Sequence, residues 1–371
     1  MATSRKSTLR EIAADLDLSV TTVSRALGGH SDVAERTRER VRHAADRLAY
    51  VPNNAGKALQ TGRSGFVSLL LPLHDDQPLD PFLGEFIGGL GEGLVEKAQD
   101  LFLATVPRGR TEMEVLRHVV ESGRADGLVL TRVAEDDERV RFLAERRFPF
   151  IAHGRVLNGE QRYSWVDTDG GAAFAEAFAL LHELGHRHFG LISIDEPMTF
   201  RLTREIGLEE AIATHADPSV TLASRRTARF DSAARHEAIA ALLDRPDRPT
   251  AILALTDEIA LDVLDVAAAL GLGVPTDLSV IGFDDLPAAA RARPGLTTFD
   301  QRTRETAIQL AHTLVELIDE RTAEQHRLLR PHLIARGSHG PAPDAPRTAS
   351  PSTARRPWTR TAPRTTTERR R

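Results

Sequence analysis

The chain has 371 residues, 41% of them hydrophobic and 27% charged, the make-up of a soluble globular protein with room for two or three domains. It contains no cysteine, which excludes disulfides, thiolate metal sites and a cysteine nucleophile. No apolar run reaches the roughly 18 residues of a membrane span, and the opening MATSRKSTLREIAADLDL lacks a signal-peptide core. A cytoplasmic protein without membrane contact is expected.

The net charge of −5 is unevenly spread, because residues 1–65 hold eleven Lys/Arg against seven Asp/Glu. A small basic head on a larger acidic body fits a protein that touches phosphate with one part only. Within the head, Thr8-Leu9-Arg10-Glu11 reads as a capping box that opens a helix with Ile12, Ala13 and Leu16 inward. Asp17-Leu18 makes a turn. Ser19 then caps a second helix, Val20–Leu27, that buries Val23 and Leu27. A third helix is expected over 35–48, with Val41, Ala45 and Leu48 on its apolar side.

Helix, tight turn and helix at this spacing form a helix-turn-helix, whose second helix enters the major groove. Val20, Thr21, Thr22, Ser24 and Arg25 are left facing outward. Arg25 can donate two parallel hydrogen bonds to guanine, a contact that discriminates by about 1–3 kcal/mol. Thr22 and Ser24 suit phosphate oxygens, and Val20 suits a thymine methyl. On this pattern alone, a three-helix packing module with an ordinary polar face stays open.

Beyond the head, strands are expected at 66–71, 101–106, 127–130, 149–152, 189–194, 251–255 and 279–283. Helical patterns lie between several of them, at 86–98, 171–184 and 258–270. The alternation argues for βαβ units and doubly wound parallel sheets, and residues 66–336 are too many for one lobe. Parallel sheets hold ligands beyond the carboxyl ends of their strands. Thr256 and Asp257 follow AILAL, and Asp284 follows SVIGF, so all three fall where a ligand would be held. Residues 341–371 carry eight Arg against Asp344 and Glu368, with Pro, Thr and Ser between them, and read as a disordered basic tail.

The segments TLREIAADLDLSVTTVSRAL and TRERVRHAADRLAYVPNNAGKALQTGRSG resemble the headpiece and hinge of the lactose-repressor (LacI-type) family of bacterial transcription regulators. The likeness continues through ADGLVL, VDTDGGAAFAEAFALLHELGHRHFGLIS, RPTAILALTDEIALDVL, GLGVPTDLSVIGFDD and PGLTTFDQ, from about Thr8 to Gly340. It implies an all-α helix-turn-helix headpiece over 1–52, a hinge helix and linker over 53–64, and a body over 65–340. That body is implied to be an α/β, two-lobed, periplasmic-binding-protein-like (type I) effector domain with parallel sheets. In the hinge, Asn53 caps a helix after Pro52, and Leu59 takes the position of the family's minor-groove wedge. Gly56 departs from the family's usual alanine, at a helix-propensity cost of about 1 kcal/mol.

By the same resemblance Asp169, Arg204, Thr256 and Asp284 stand at polar effector contacts, and Phe82 and Phe230 at aromatic walls. Carboxylates and an arginine over an aromatic surface suit vicinal hydroxyls. A sugar is therefore the expected effector, with a purine left open. The implied partners are a pseudo-palindromic double-stranded DNA operator, that small molecule and a second copy of the chain, with no cofactor and no metal. Repression relieved by an inducer is expected, a corepressor being the alternative.

Two motifs point elsewhere. His182-Glu183-Leu184-Gly185-His186 spells HExxH, but zinc chemistry needs both histidines on one continuing helix, and Gly185 is expected to end it. The glycine string over 88–93 follows no strand, which makes it weak as a phosphate loop. No GxSxG elbow occurs, so no enzyme is expected. A solute-binding protein would share the body but not the DNA-binding head.

Overall fold

A computed structural model describes residues 8–28, 31–50, 62–71, 81–158, 162–229, 231–321 and 323–343. The chain divides into two units, Met1–Gly65 and Phe66–Arg371. The expected hinge helix, with Asn53, Gly56 and Leu59, lies outside the described residues, as do Phe230 and residues 344–371.

In the first unit, α1 (Leu9–Leu16), α2 (Val20–Leu27) and α3 (Glu35–Arg47) enclose a small core. The capping box forms as expected: the Glu11 amide donates to the Thr8 hydroxyl and the Thr8 amide to Glu11 Oε2. Asp17 ends α1 in the left-handed conformation, φ 55°, which a short polar side chain tolerates, and Ser19 accepts from the Thr22 amide to start α2. Ile12, Val23 and Val41 are fully buried. The expected inward residue Leu27 is only half-buried, and Ala26 is the second buried residue of α2. Three residues past Val23 lies nearer the inner face than four where α2 crosses α3.

The second unit holds two lobes. Lobe 1 is built on six parallel strands in the order β11-β5-β4-β3-β1-β2: β1 Phe66–Leu71, β2 Asp100–Thr105, β3 Gly127–Leu130, β4 Phe150–His153, β5 Ser164–Thr168 and β11 His326–Leu329. Its helices are α4 (Pro81–Glu96), α5 (Glu112–Glu121), α6 (Glu138–Glu145) and α12 (Thr303–Ile318). Apolar clusters cover both sheet faces, one led by Leu69, Phe86 and Leu310 and the other by Leu116, Leu128 and Leu143. Burial on both faces explains why the central strands β1 and β3 are almost wholly apolar.

Lobe 2 repeats the plan with the parallel order β7-β6-β8-β9: β6 His188–Ile194, β7 Thr221–Thr227, β8 Ala251–Ala254 and β9 Ser279–Ile281. Its helices are α7 (Gly170–Glu183), α8 (Thr199–His215), α9 (Ser232–Leu243), α10 (Asp257–Ala269) and α11 (Pro287–Arg291). An antiparallel pair, β10 (Thr298–Asp300) with β12 (His332–Ile334), completes it. The chain passes between the lobes at Asp169, at Gln301–Arg302 and at Arg330–Pro331. The ordered body runs past Gly340, since the Ala342 amide donates to Leu184 O.

The two stray motifs have structural uses. The glycine string lies inside α4, where a Cβ at Gly89 or Gly93 would collide with the backbone of α12 at Arg304 and Ile308. These glycines let the two helices pack backbone to backbone. In the HExxH segment, α7 ends at Glu183 and Gly185 takes φ 93°. His182 pairs with Asp217 at 2.9 Å, while buried His186 bonds to Thr250 and to Gly340 O. The two rings are committed to different partners.

Candidate ligand cleft and nucleic-acid interface

On α2, Val20, Thr21 and Arg25 are exposed, while Thr22 and Ser24 are half-buried. The Thr22 hydroxyl shares a 2.8 Å hydrogen bond with Ser19, so part of its capacity is spent on the helix start. Arg25 forks onto Asp32, with Nη2–Oδ2 at 2.5 Å and Nε–Oδ1 at 3.3 Å. Both side chains are about half exposed, and such a surface pair contributes about 1 kcal/mol or less. Asp32 therefore holds the guanidinium fork at low cost. Sequence reasoning passed over Asp32, because it falls seven residues after Arg25 and outside α2.

In the second unit a cleft opens between the lobes. It is lined by Phe82, Arg132, Val133, His153, Gly154, Asp167, Thr168, Thr199, Phe200, Arg204, Arg229, Thr256, Asp284 and Gln301. Most of the lobe 1 contributors stand at or just past the carboxyl ends of β3, β4 and β5, and Thr256 and Asp284 stand just past β8 and β9. That is the strand end where doubly wound sheets leave a crevice. On one side the lobes are tied through main-chain carbonyls: Thr199 N and Oγ1 donate to Val133 O at 2.9 and 3.0 Å, and Glu135 N to Pro197 O at 3.0 Å.

Arg204 is the central cation. It rises from α8, sets its Cζ 3.6 Å from the centroid of the Phe283 ring and is almost wholly buried. Nη1 donates to Leu255 O, whereas Nε is buried with no acceptor. Burial pulls its pKa down to about 10, against the pull of Asp284 and Asp167, so it stays charged at neutral pH. The close approach of α7 and α8 makes room for it. A Cβ at Gly170 would strike the Arg204 side chain, and one at Gly207 would strike the Gly171 backbone.

Aromatic surface faces it from lobe 1. Phe82 stacks on Phe86 at 5.5 Å, and His153 packs against both rings at 5.4 and 5.2 Å. Burial, then the charge of Arg204, pulls the His153 pKa down to about 4, so the imidazole is neutral. Asp167 is pushed up to about 6, chiefly by burial, with Arg155 Nε at 3.3 Å opposing. Asp284 sits at φ 127°, a backbone region that costs a non-glycine residue about 1–3 kcal/mol, and its Oδ1 accepts from Gln301 Nε2 at 2.8 Å.

The structure thus brings Phe82, Arg204, Thr256 and Asp284 together on one cleft. Asp257 and Asp169 stand elsewhere. Asp257 is fully buried, with Oδ1 accepting from the Thr298 hydroxyl and Oδ2 from the Leu286 amide. It braces the turn after β9, its side chain turned toward β10, and it is not among the residues that line the cleft. Asp169 caps α7, accepting from the Ala172 amide at 3.0 Å. Sequence reasoning missed His153, Asp167, Thr168 and Gln301. The carboxyl-end rule would have found Asp167 and Thr168 had SWVDT been read as a strand.

Comparison with known proteins follows the same division. The model of the bacterial regulatory proteins, lacI family, matches residues 8–53, and that of a periplasmic binding protein-like domain matches residues 178–339. The chain is 32% identical over 352 residues to the HTH-type transcriptional regulator AglR of Rhizobium meliloti, covering 93% of this chain and 97% of that one. It is 33% identical over 338 residues to the HTH-type transcriptional regulator CelR of Thermobifida fusca, covering 90% and 98%. Among solved structures, it is similar to a transcriptional regulator CelR–cellobiose complex at 30% identity and TM-score 0.66, over 90% of this chain and 100% of that one. A lac repressor dimer bound to operator and the anti-inducer ONPF, at 20% identity and TM-score 0.76 over 90% and 99%, shares the fold.

Proposed function

The chain belongs to the lacI family of bacterial regulatory proteins and is a helix-turn-helix transcriptional regulator, and on that premise we propose that a sugar in its interlobe cleft sets its affinity for operator DNA. Arg204 carries the reading. Its guanidinium is stacked on Phe283 with Nη1 spent on Leu255 O, and the group lines the cleft, where a ligand oxygen can accept from it. Asp284 supplies a carboxylate on the same cleft, and Phe82 an apolar ring face for the C–H side of a pyranose. The cellobiose bound to the CelR relative supports a glucoside among the sugars.

The proposal extends to the whole regulator. Two copies place two heads on a two-fold-related operator in the cytoplasm, with α2 in the major groove, and the sugar releases them as an inducer. Asn53 and Leu59 act at the operator as hinge cap and minor-groove wedge. The protein acts as a regulator and not as an enzyme. Calorimetric titration with cellobiose, raffinose, galactose and adenine tests the ligand class. A sugar that binds the wild type and loses at least tenfold in affinity in Arg204→Met supports the reading. Binding of adenine alone, or equal sugar affinity in the variant, overturns it.

A further inference from the structure

Gln301 lies at the middle crossover between the lobes and is 7% exposed. Its amide is used at both ends. Oε1 accepts from the Thr168 hydroxyl at 3.1 Å, at the end of β5 in lobe 1. Nε2 donates to Asp284 Oδ1 at 2.8 Å, just past β9 in lobe 2. All three residues line the cleft. The polarity is determined, because a carboxylate can only accept, so the amide nitrogen must face Asp284 and the oxygen must face Thr168.

We propose that Gln301 is a positioning residue that couples the cleft to the angle between the lobes, tying Asp284 of one lobe to Thr168 of the other through a single buried amide. The proposal rests on the cleft being the effector site. A ligand group that takes hold of Asp284 acts on a carboxylate already bound across the crossover, so occupancy and lobe angle cannot change independently. The ties at Val133 and Thr199 close the other side of the cleft and do not involve side chains on the Gln301 path. Loss of the amide bonds therefore releases one side only, and each buried bond removed moves the balance of lobe arrangements roughly fivefold.

The test needs neither ligand nor operator, so its failure is distinct from failure of the sugar reading. Because the chain has no cysteine, spin labels can be placed through Glu121→Cys on α5 and Glu237→Cys on α9, both exposed positions in different lobes. Labelled protein is diluted into unlabelled protein so that only distances within one chain are read. Wild type should give one dominant distance. Gln301→Met, which keeps the volume, and Gln301→Glu, which sets a second carboxylate against Asp284, should each add a longer population at unchanged cooperative melting. Combining Gln301→Glu with Asp284→Asn reverses donor and acceptor along the same path and should restore the wild-type distribution. Wild-type distances in both folded single variants, or no recovery in the double variant, would overturn the proposal.

Discussion

The head and the cleft solve recognition in opposite ways. The proposed reading surface of the head is one turn-and-helix segment, Ser19 to Arg25, whose buried side chains are few. The cleft has no such segment. Its residues run from Phe82 to Gln301 and converge only because two parallel sheets end at the same crevice. A contiguous surface depends on local capping and tolerates substitution of single outward residues. A convergent one depends on how closely helices far from the ligand can approach.

The largest expected effect follows from that dependence. Gly207→Val puts a branched side chain against the Gly171 backbone, which cannot retreat, and should destabilise the body by about 3 kcal/mol in denaturant unfolding. A loss under 1 kcal/mol would mean that the helix crossing is looser than its geometry indicates. On the head, Arg25→Ala should weaken binding to the cognate operator by about 1–3 kcal/mol and relax the choice of one base pair. Sugar affinity should not move. A uniform loss across all operator variants would make Arg25 a phosphate contact.

The smallest effect lies within the cleft and is read by pH. The unfolded chain protonates His153 below about 6.5, whereas the native pKa is pulled down to about 4. His153 therefore costs stability as the pH falls through that window. Asp167, pushed up to about 6 from 3.8, works the other way, since the native chain keeps a proton that the unfolded chain has released. His153→Gln removes only the first contribution, so the variant should gain on wild type by up to about 2 kcal/mol between pH 8 and pH 5 in paired denaturation curves. A constant difference across that range would show that His153 titrates normally.

The head could be read in advance because everything that specifies it is near in the chain: Thr8 three residues before Glu11, Ser19 three before Thr22, apolar residues at helical spacing. The strands β1 and β3 were equally legible, being apolar runs buried on both faces. By contrast β5 (SWVDT) and β7 (TLASRRT) contain too many polar residues to announce themselves, the first because its end lines the cleft and the second because it is an edge. Asp257 and Asp284 looked alike in sequence, each just after an apolar strand. One became a buried strut and the other a cleft carboxylate, according to which way the backbone left the sheet.

What the order of residues determined by itself was therefore the kind of molecule: a capped helix-turn-helix joined to a twice-wound α/β body. Periodicity, caps and turns act over a few residues and are written locally. Tertiary structure alone decided which groups share the cleft, that Asp32 holds Arg25, and that Gln301 joins Thr168 to Asp284. Those pairings join residues up to 133 positions apart, and only the packing of sheets and helices brings them within the roughly 3 Å over which hydrogen bonds act.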